Sequence, residues 1–121
     1  MTISEAISEI DALKPNTYTN EEKIRWLSRL DSRIQKEIID THEGGSEFSG
    51  YTSQTLTTTP LLVPAPYDEL YIFWLESQID YANGETKRFN NSSTMFNVAY
   101  QDYASYYNRT NTPKTVGVTY W

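Results

Sequence analysis

LLVPAPYDELYIFWLESQIDYANGE, residues 61–85, is the stretch whose reading decides the fold. Pro64 and Pro66 favour extended backbone before them and cannot carry a helix in from upstream. Asp68 is placed to accept hydrogen bonds from the free amides of a first turn. No breaker follows until Asn83-Gly84, and Gly84 suits the left-handed conformation just past a helix end. Tyr67, Leu70, Tyr71, Trp74, Leu75, Gln78, Ile79 and Ala82 recur at three-to-four spacing. Glu69, Glu76, Asp80 and Asn83 fall on the other side. Ile72 and Phe73 widen the apolar arc, so this helix needs neighbours on more than one side. The spacing predicts a central helix over 67–83, with Trp74 in its core.

Working outward, the preceding segments carry two further helices. Thr2-Ile3-Ser4-Glu5 has the form of a capping box, and Ile3, Ile7, Ile10 and Leu13 make a narrow apolar stripe, giving a helix over 3–13. Lys14-Pro15-Asn16 ends it. Thr19 and Glu22 repeat the capping pattern for a helix over 20–39. Its inner face is Ile24, Leu27, Leu30, Ile34 and Ile38, with Trp26 to one side. Lys23, Arg29, Arg33, Lys36 and Glu37 are assigned to its outer face. After the central helix, 85–90 reads as another turn or a continuation. Ser92 or Ser93 then caps a last helix over 92–109, striped by Phe96, Tyr100, Tyr103 and Tyr107 with Ala99 and Tyr106 beside them. Phe96, Ala99 and Tyr103 are read as core, and the tyrosines nearer the end as facing a partner.

Residues 40–66 lack helical period and are rich in Gly, Ser and Thr. A loop of this length in so small a domain is uncommon and often functional. Short strands near 52–57 and 61–63 are expected in it. Two readings stand side by side: an excursion reaching a neighbouring molecule through Phe48, Tyr51 and Leu56, or a mobile surface loop. At the other end, Val116, Val118 and Tyr120 alternate with Thr115, Gly117 and Thr119, and Trp121 closes the chain. A strand of this kind has nothing local to pair with, so 114–121 reads as an interaction arm. The domain division is therefore 1–113 for the helical body and 114–121 for the arm.

Composition narrows the function classes. The 121 residues fit one domain with one core, and ten tyrosines suit contact surfaces as well as interiors. A net charge of −6 argues against gripping nucleic acid through its phosphates and is compatible with letting DNA pass. The sequence has no cysteine, so it offers no disulfide, thiolate nucleophile or cysteine–zinc site. No signal peptide or bilayer-length apolar run is apparent, which predicts a soluble protein made in the cytoplasm.

Motifs that carry chemistry are few. Asp40, His42 and Glu43 form a D-x-H-E cluster, but with His42 the only histidine it reads as a solvated loop, not a metal site. Gly45 and Gly50 have phosphate-loop spacing, yet Tyr51-Thr52 stands where Lys-Ser/Thr is required. Glu76 and Asp80, one turn apart, read as a solvated or lumen-facing acidic stripe and not as paired acid/base carboxylates. The glycosylation-acceptor patterns at Asn90, Asn91 and Asn108 mean nothing without secretion. Neither a catalytic residue nor a cofactor site is predicted.

Several pieces taken together, KPN, KIRWLSRLDSRI, LLVPAPYDELY, QIDYANGE and RFNNSSTMFNVAYQDYASYYNR followed by a short tail, resemble the head–tail adaptor (connector, or head-completion) proteins of tailed bacteriophages and prophages. The resemblance spans nearly the whole chain, and PYDELY followed by IDYANGE is its most specific part. It implies a small helical bundle that assembles as a virion ring of about a dozen copies under the portal protein. Such a ring extends the DNA channel without specific DNA binding and docks the next head-completion or tail protein. A small helical DNA-binding or regulatory protein of a prophage is the alternative. The acidic balance and the lack of a basic recognition helix speak against it.

Overall fold

A computed structural model describes residues 1–114, and within them the chain is a mainly helical bundle. Four α-helices are present among the described residues: α1 (Ile3–Leu13), α2 (Asn20–Ile34), α3 (Leu70–Ala82) and α4 (Thr86–Thr110). A π-helical turn, Gln35–Ile39, prolongs α2, and a 3-10 turn, Tyr67–Glu69, leads into α3.

Local chemistry sets most of these boundaries. Thr2 and Glu5 close a reciprocal capping box at the start of α1, with bonds of 2.9 and 3.1 Å. Thr19 accepts from the Glu22 amide at the start of α2. Gly84, at φ +73°, takes the left-handed turn between α3 and α4. The Glu85 amide then closes back on the Asp80 carbonyl at 2.9 Å. α3 and α4 form a helical hairpin against which α1 and α2 pack, and all four contribute to one core. Ile3, Ile10, Leu27, Leu30, Ile34, Leu70, Tyr71, Leu75 and Ile79 are fully enclosed there.

Several expectations need correction. The last helix begins at Thr86, so neither Ser92 nor Ser93 is a cap, and Ser92 is buried. Asp68 makes no capping bond at the start of α3. Trp74 is only half-buried, with its Nε1 donating to the Trp26 carbonyl at 2.9 Å, and Tyr71 is the enclosed aromatic of α3. Leu13 belongs to the α1 stripe by spacing but, as the last residue of the helix, is 61% exposed. Lys23 is buried instead of outward, where its ammonium bonds Asp11 at 2.7 Å.

The long loop is strapped to its own domain. No strand forms among the described residues: 52–57 and 61–63, expected as short strands, are turns and irregular backbone, and the loop's isolated bridges lie elsewhere, pairing Pro60 with Thr2 and His42 with Pro113. The first free amides of α1, at Ile3 and Ser4, donate to the carbonyls of Thr59 and Thr57. The loop thus satisfies a helix end that would otherwise need water. Its own Tyr51, Leu61 and Val63 are buried in the core.

Candidate functional site

Among the buried polar contacts of the described residues, three tie distant parts of the chain together. In the first, Asp31 of α2 is completely enclosed. Its Oδ1 accepts from the Tyr71 hydroxyl at 2.6 Å, and its Oδ2 accepts from the Tyr51 hydroxyl at 2.5 Å and the Leu62 amide at 3.1 Å. Burial pushes the Asp31 carboxyl up, against the lowering effect of these three donors. Burial, with the neighbouring carboxylate, pushes both tyrosine hydroxyls well above their ordinary range, so they stay protonated donors. With no surface exposed, Asp31 ties loop to helix and meets no solute in this conformation.

In the second centre, Asp80 corrects the solvated-stripe expectation, being 1% exposed. Lys14 pairs with it, and the Ser92 hydroxyl donates to its Oδ2 at 2.9 Å. Lys14 also lies 3.7 Å from the Glu85 carboxylate. One ammonium therefore joins the end of α1 to the turn between α3 and α4. Nearby, the Tyr18 hydroxyl donates to Asn83 at 2.6 Å.

The third centre is His42, buried and not solvated as the loop reading had it. Its Nδ1 lies 2.6 Å from the Ile38 carbonyl and its Nε2 lies 2.7 Å from Asn108 Oδ1. The ring meets Tyr107 edge-on with centroids 4.8 Å apart. The His42 backbone bridges Pro113, and the Lys114 amide donates to the Thr41 carbonyl at 2.9 Å. This fixes the point from which the C-terminal segment departs.

Beside that point lies a groove of about 380 Å³ lined by Leu62, Pro64, Tyr103, Tyr106, Tyr107 and Asn111, among others. Tyr67 stacks on Tyr106 at 4.6 Å, and both Tyr106 and Tyr107 are half-buried. Burial pushes the Tyr103 hydroxyl up to about 12. The groove presents aromatic area with polar edges, a composition suited to a protein partner.

The candidate contact residues divide. Leu56 is 75% exposed and free to meet a partner. Phe48 is half-buried, with its ring edge-on to Tyr51 at 4.8 Å. Tyr51 is buried and consumed by Asp31, so it is removed from the contact set. Val116, Val118, Tyr120 and Trp121 lie outside the described residues.

Sequence reasoning missed Asp31, Asp80, Lys23 and His42. No cluster of three or more His, Cys, Asp or Glu side chains with metal-binding geometry occurs among the described residues, and no helix there is long and apolar enough to cross a membrane. No family model, curated protein or solved structure matches the chain.

Proposed function

We propose that this chain is a head–tail adaptor of a tailed bacteriophage or prophage, a virion structural protein that forms a ring under the portal. In that role it extends the DNA channel and docks the next head-completion or tail protein. One observation carries the reading: the pieces of sequence on which the resemblance rests are joined to each other in space. Lys14 of KPN pairs with Asp80 and faces Glu85, both of IDYANGE. Asp31 of the KIRWLSRLDSRI segment accepts from Tyr71, the last residue of PYDELY. A likeness confined to helical periodicity would arise in many bundles. Here the pieces named in the resemblance form one connected unit, held by a buried Asp31–Tyr71 contact and a part-buried Lys14–Asp80 pair.

The arrangement of the surface supports the same reading. The C-terminal segment leaves from an anchored corner, next to a tyrosine-lined groove, so an arm starting there has a defined origin. Leu56 and the arm residues Val116, Val118, Tyr120 and Trp121 are the contacts proposed for neighbouring copies, the portal or the next protein. Phe48 contributes one ring edge to that set.

The test is to mix the purified protein with the portal of the same phage and image the product by negative-stain microscopy. An added ring of density on the portal is the expected result. Absence of binding across salt conditions would overturn the assignment. The alternative, a small helical DNA-binding or regulatory protein of a prophage, predicts a shifted duplex in a gel assay at physiological salt and no portal complex.

A further inference from the structure

We propose that copies of this chain associate head to tail, with Arg25 and Arg29 of α2 on one copy engaging Glu5 and Glu9 of α1 on the next. This rests on the adaptor reading for its ring and adds to it the surfaces that meet.

Although the chain is acidic overall, four cations fall on the outer side of α2 and its extension: Arg25, Arg29, Arg33 and Lys36. Arg33 is engaged by Glu37 at 2.9 Å and lies over the Tyr100 ring. Among the described residues, no carboxylate comes within 4 Å of Arg25, Arg29 or Lys36. Arg25 and Arg29 line a groove of about 370 Å³ between α2 and the loop, with Ser28, Thr52 and Ser53 beside them. Its wall thus holds two guanidinium groups and three hydroxyls, all able to donate to an oxyanion. Glu21 also lines the groove, which leaves it with a modest positive excess.

The occupant follows from charge and spacing. Arg25 and Arg29 are one helical turn apart, about 6 Å along the axis. Glu5 and Glu9 on α1 have the same spacing, are both exposed, and lie away from the buried Ile3, Ile7 and Ile10; Glu5 spends one oxygen on the Thr2 amide of the capping box, which leaves its other oxygen for a guanidinium. Two helices packed side by side would set each carboxylate against a guanidinium. A chain of net charge −6 with so local a basic patch is a poor ligand for a phosphate polyanion, which favours a second copy over DNA. The two patches sit on different elements, so the contact pairs unlike surfaces. A contact of that kind closes into a ring when its rotation permits.

Sedimentation of the protein alone, at low salt and up to near-millimolar concentration, tests this. Arg29→Glu and Glu9→Arg should each weaken self-association by about tenfold or more, and their combination should restore it. Added salt should weaken the parent's association. Should a reversal fail to fold by circular dichroism, Arg29→Gln and Glu9→Gln take its place, with weakened association expected from each. A parent that stays monomeric, reversals without effect, or a combination that does not recover would each overturn the inference. So would an Arg29→Glu variant that loses binding to a short duplex DNA while self-associating normally. Portal binding by the parent, measured separately, reports on the adaptor reading itself.

Discussion

Tyr71→Phe isolates the polar part of the enclosed centre, because the ring and its packing remain while one oxygen is lost. That oxygen has two partners: it donates to Asp31 Oδ1 at 2.6 Å and accepts from the Val63 amide at 2.8 Å. Neither orphan has another hydrogen-bond partner among the described residues. Asp31 Oδ1 loses the one donor it has, and Val63 is completely buried. Leaving a buried polar group unpaired costs about 1–3 kcal/mol, more when it is charged, so the two together should cost about 3–5 kcal/mol. For a chain of this size that lowers the melting temperature by about 10–20 °C. Tyr51→Phe is the internal control. It removes a donor from Asp31 Oδ2, which keeps the Leu62 amide at 3.1 Å, so its cost should be smaller, about 1–3 kcal/mol. Calorimetry or urea melts at neutral pH measure both. A Tyr71→Phe variant melting within about 3 °C of the parent, or one less damaged than Tyr51→Phe, would refute the reasoning.

The same centre makes a prediction about pH. The folded-state pKa of Asp31 is raised above its ordinary value of 3.8, chiefly by burial. The folded protein therefore holds this proton more tightly than the unfolded chain does. Its contribution to stability is fully present below the unfolded value and is lost as pH rises through the folded value. The stability of the parent minus that of Asp31→Asn should thus grow as pH is lowered from neutrality towards 3.8. Glu37 runs the other way. Hydrogen bonds from Tyr100 and then Arg33 hold its carboxyl down, so its stabilisation is lost as pH falls. A parent–variant difference that shrinks on acidification would contradict the assignment to Asp31.

The remaining predictions concern other parts of the chain. Lys14→Ala leaves the Asp80 carboxylate buried without its cation and should cost about 3–5 kcal/mol, whereas Lys14→Met with Asp80→Leu should recover most of that in urea melts. Trp74→Ala should cost about 2–4 kcal/mol, less than a fully enclosed aromatic would, since Trp74 is half-buried against Phe96. Deleting 115–121 leaves the Lys114 anchor in place, and on the adaptor proposal it should keep the melting temperature while weakening binding to the portal or to neighbouring copies. A clear loss of stability would instead make that segment part of the body.

The helices were legible because their signals are local. The Thr2–Glu5 capping box, the Thr19 cap and Gly84 are each decided by a few neighbouring residues, and each stands where the sequence places it. The buried charges were missed because periodicity was read from apolar residues, with every charge sent outward. The phase of those charges carried the missing information. Lys23 is in step with Leu27, Leu30 and Ile34, and all four are buried. Asp31 follows Leu27 by one turn, and Ser92 precedes Phe96 by one turn. A polar residue in phase with a buried stripe needs a partner, and Asp11, the two tyrosines and Asp80 supply them. The loop was harder, since its order depends on α1 amides more than fifty residues away, which no local pattern reveals.

These polar contacts also bear on how so small a bundle keeps one arrangement. Isoleucine and leucine stripes fill space well, but they tolerate rotation and sliding of one helix against another with modest loss. A charge or hydroxyl enclosed at a fixed position does not, because a shift of one residue leaves both partners unpaired in a medium that cannot solvate them. Asp31 with Tyr71 sets the register between α2 and α3, and Lys14 with Asp80 sets it between the end of α1 and the α3–α4 hairpin. His42 with Asn108 then sets the end of α4 against the turn from which the C-terminal segment leaves. Each pair spans at least forty residues of chain, so each is satisfied only when the whole bundle is in place. A subunit proposed to repeat around a ring needs that property more than it needs extra stability. Small differences in helix register between copies would add up around the circle and prevent closure.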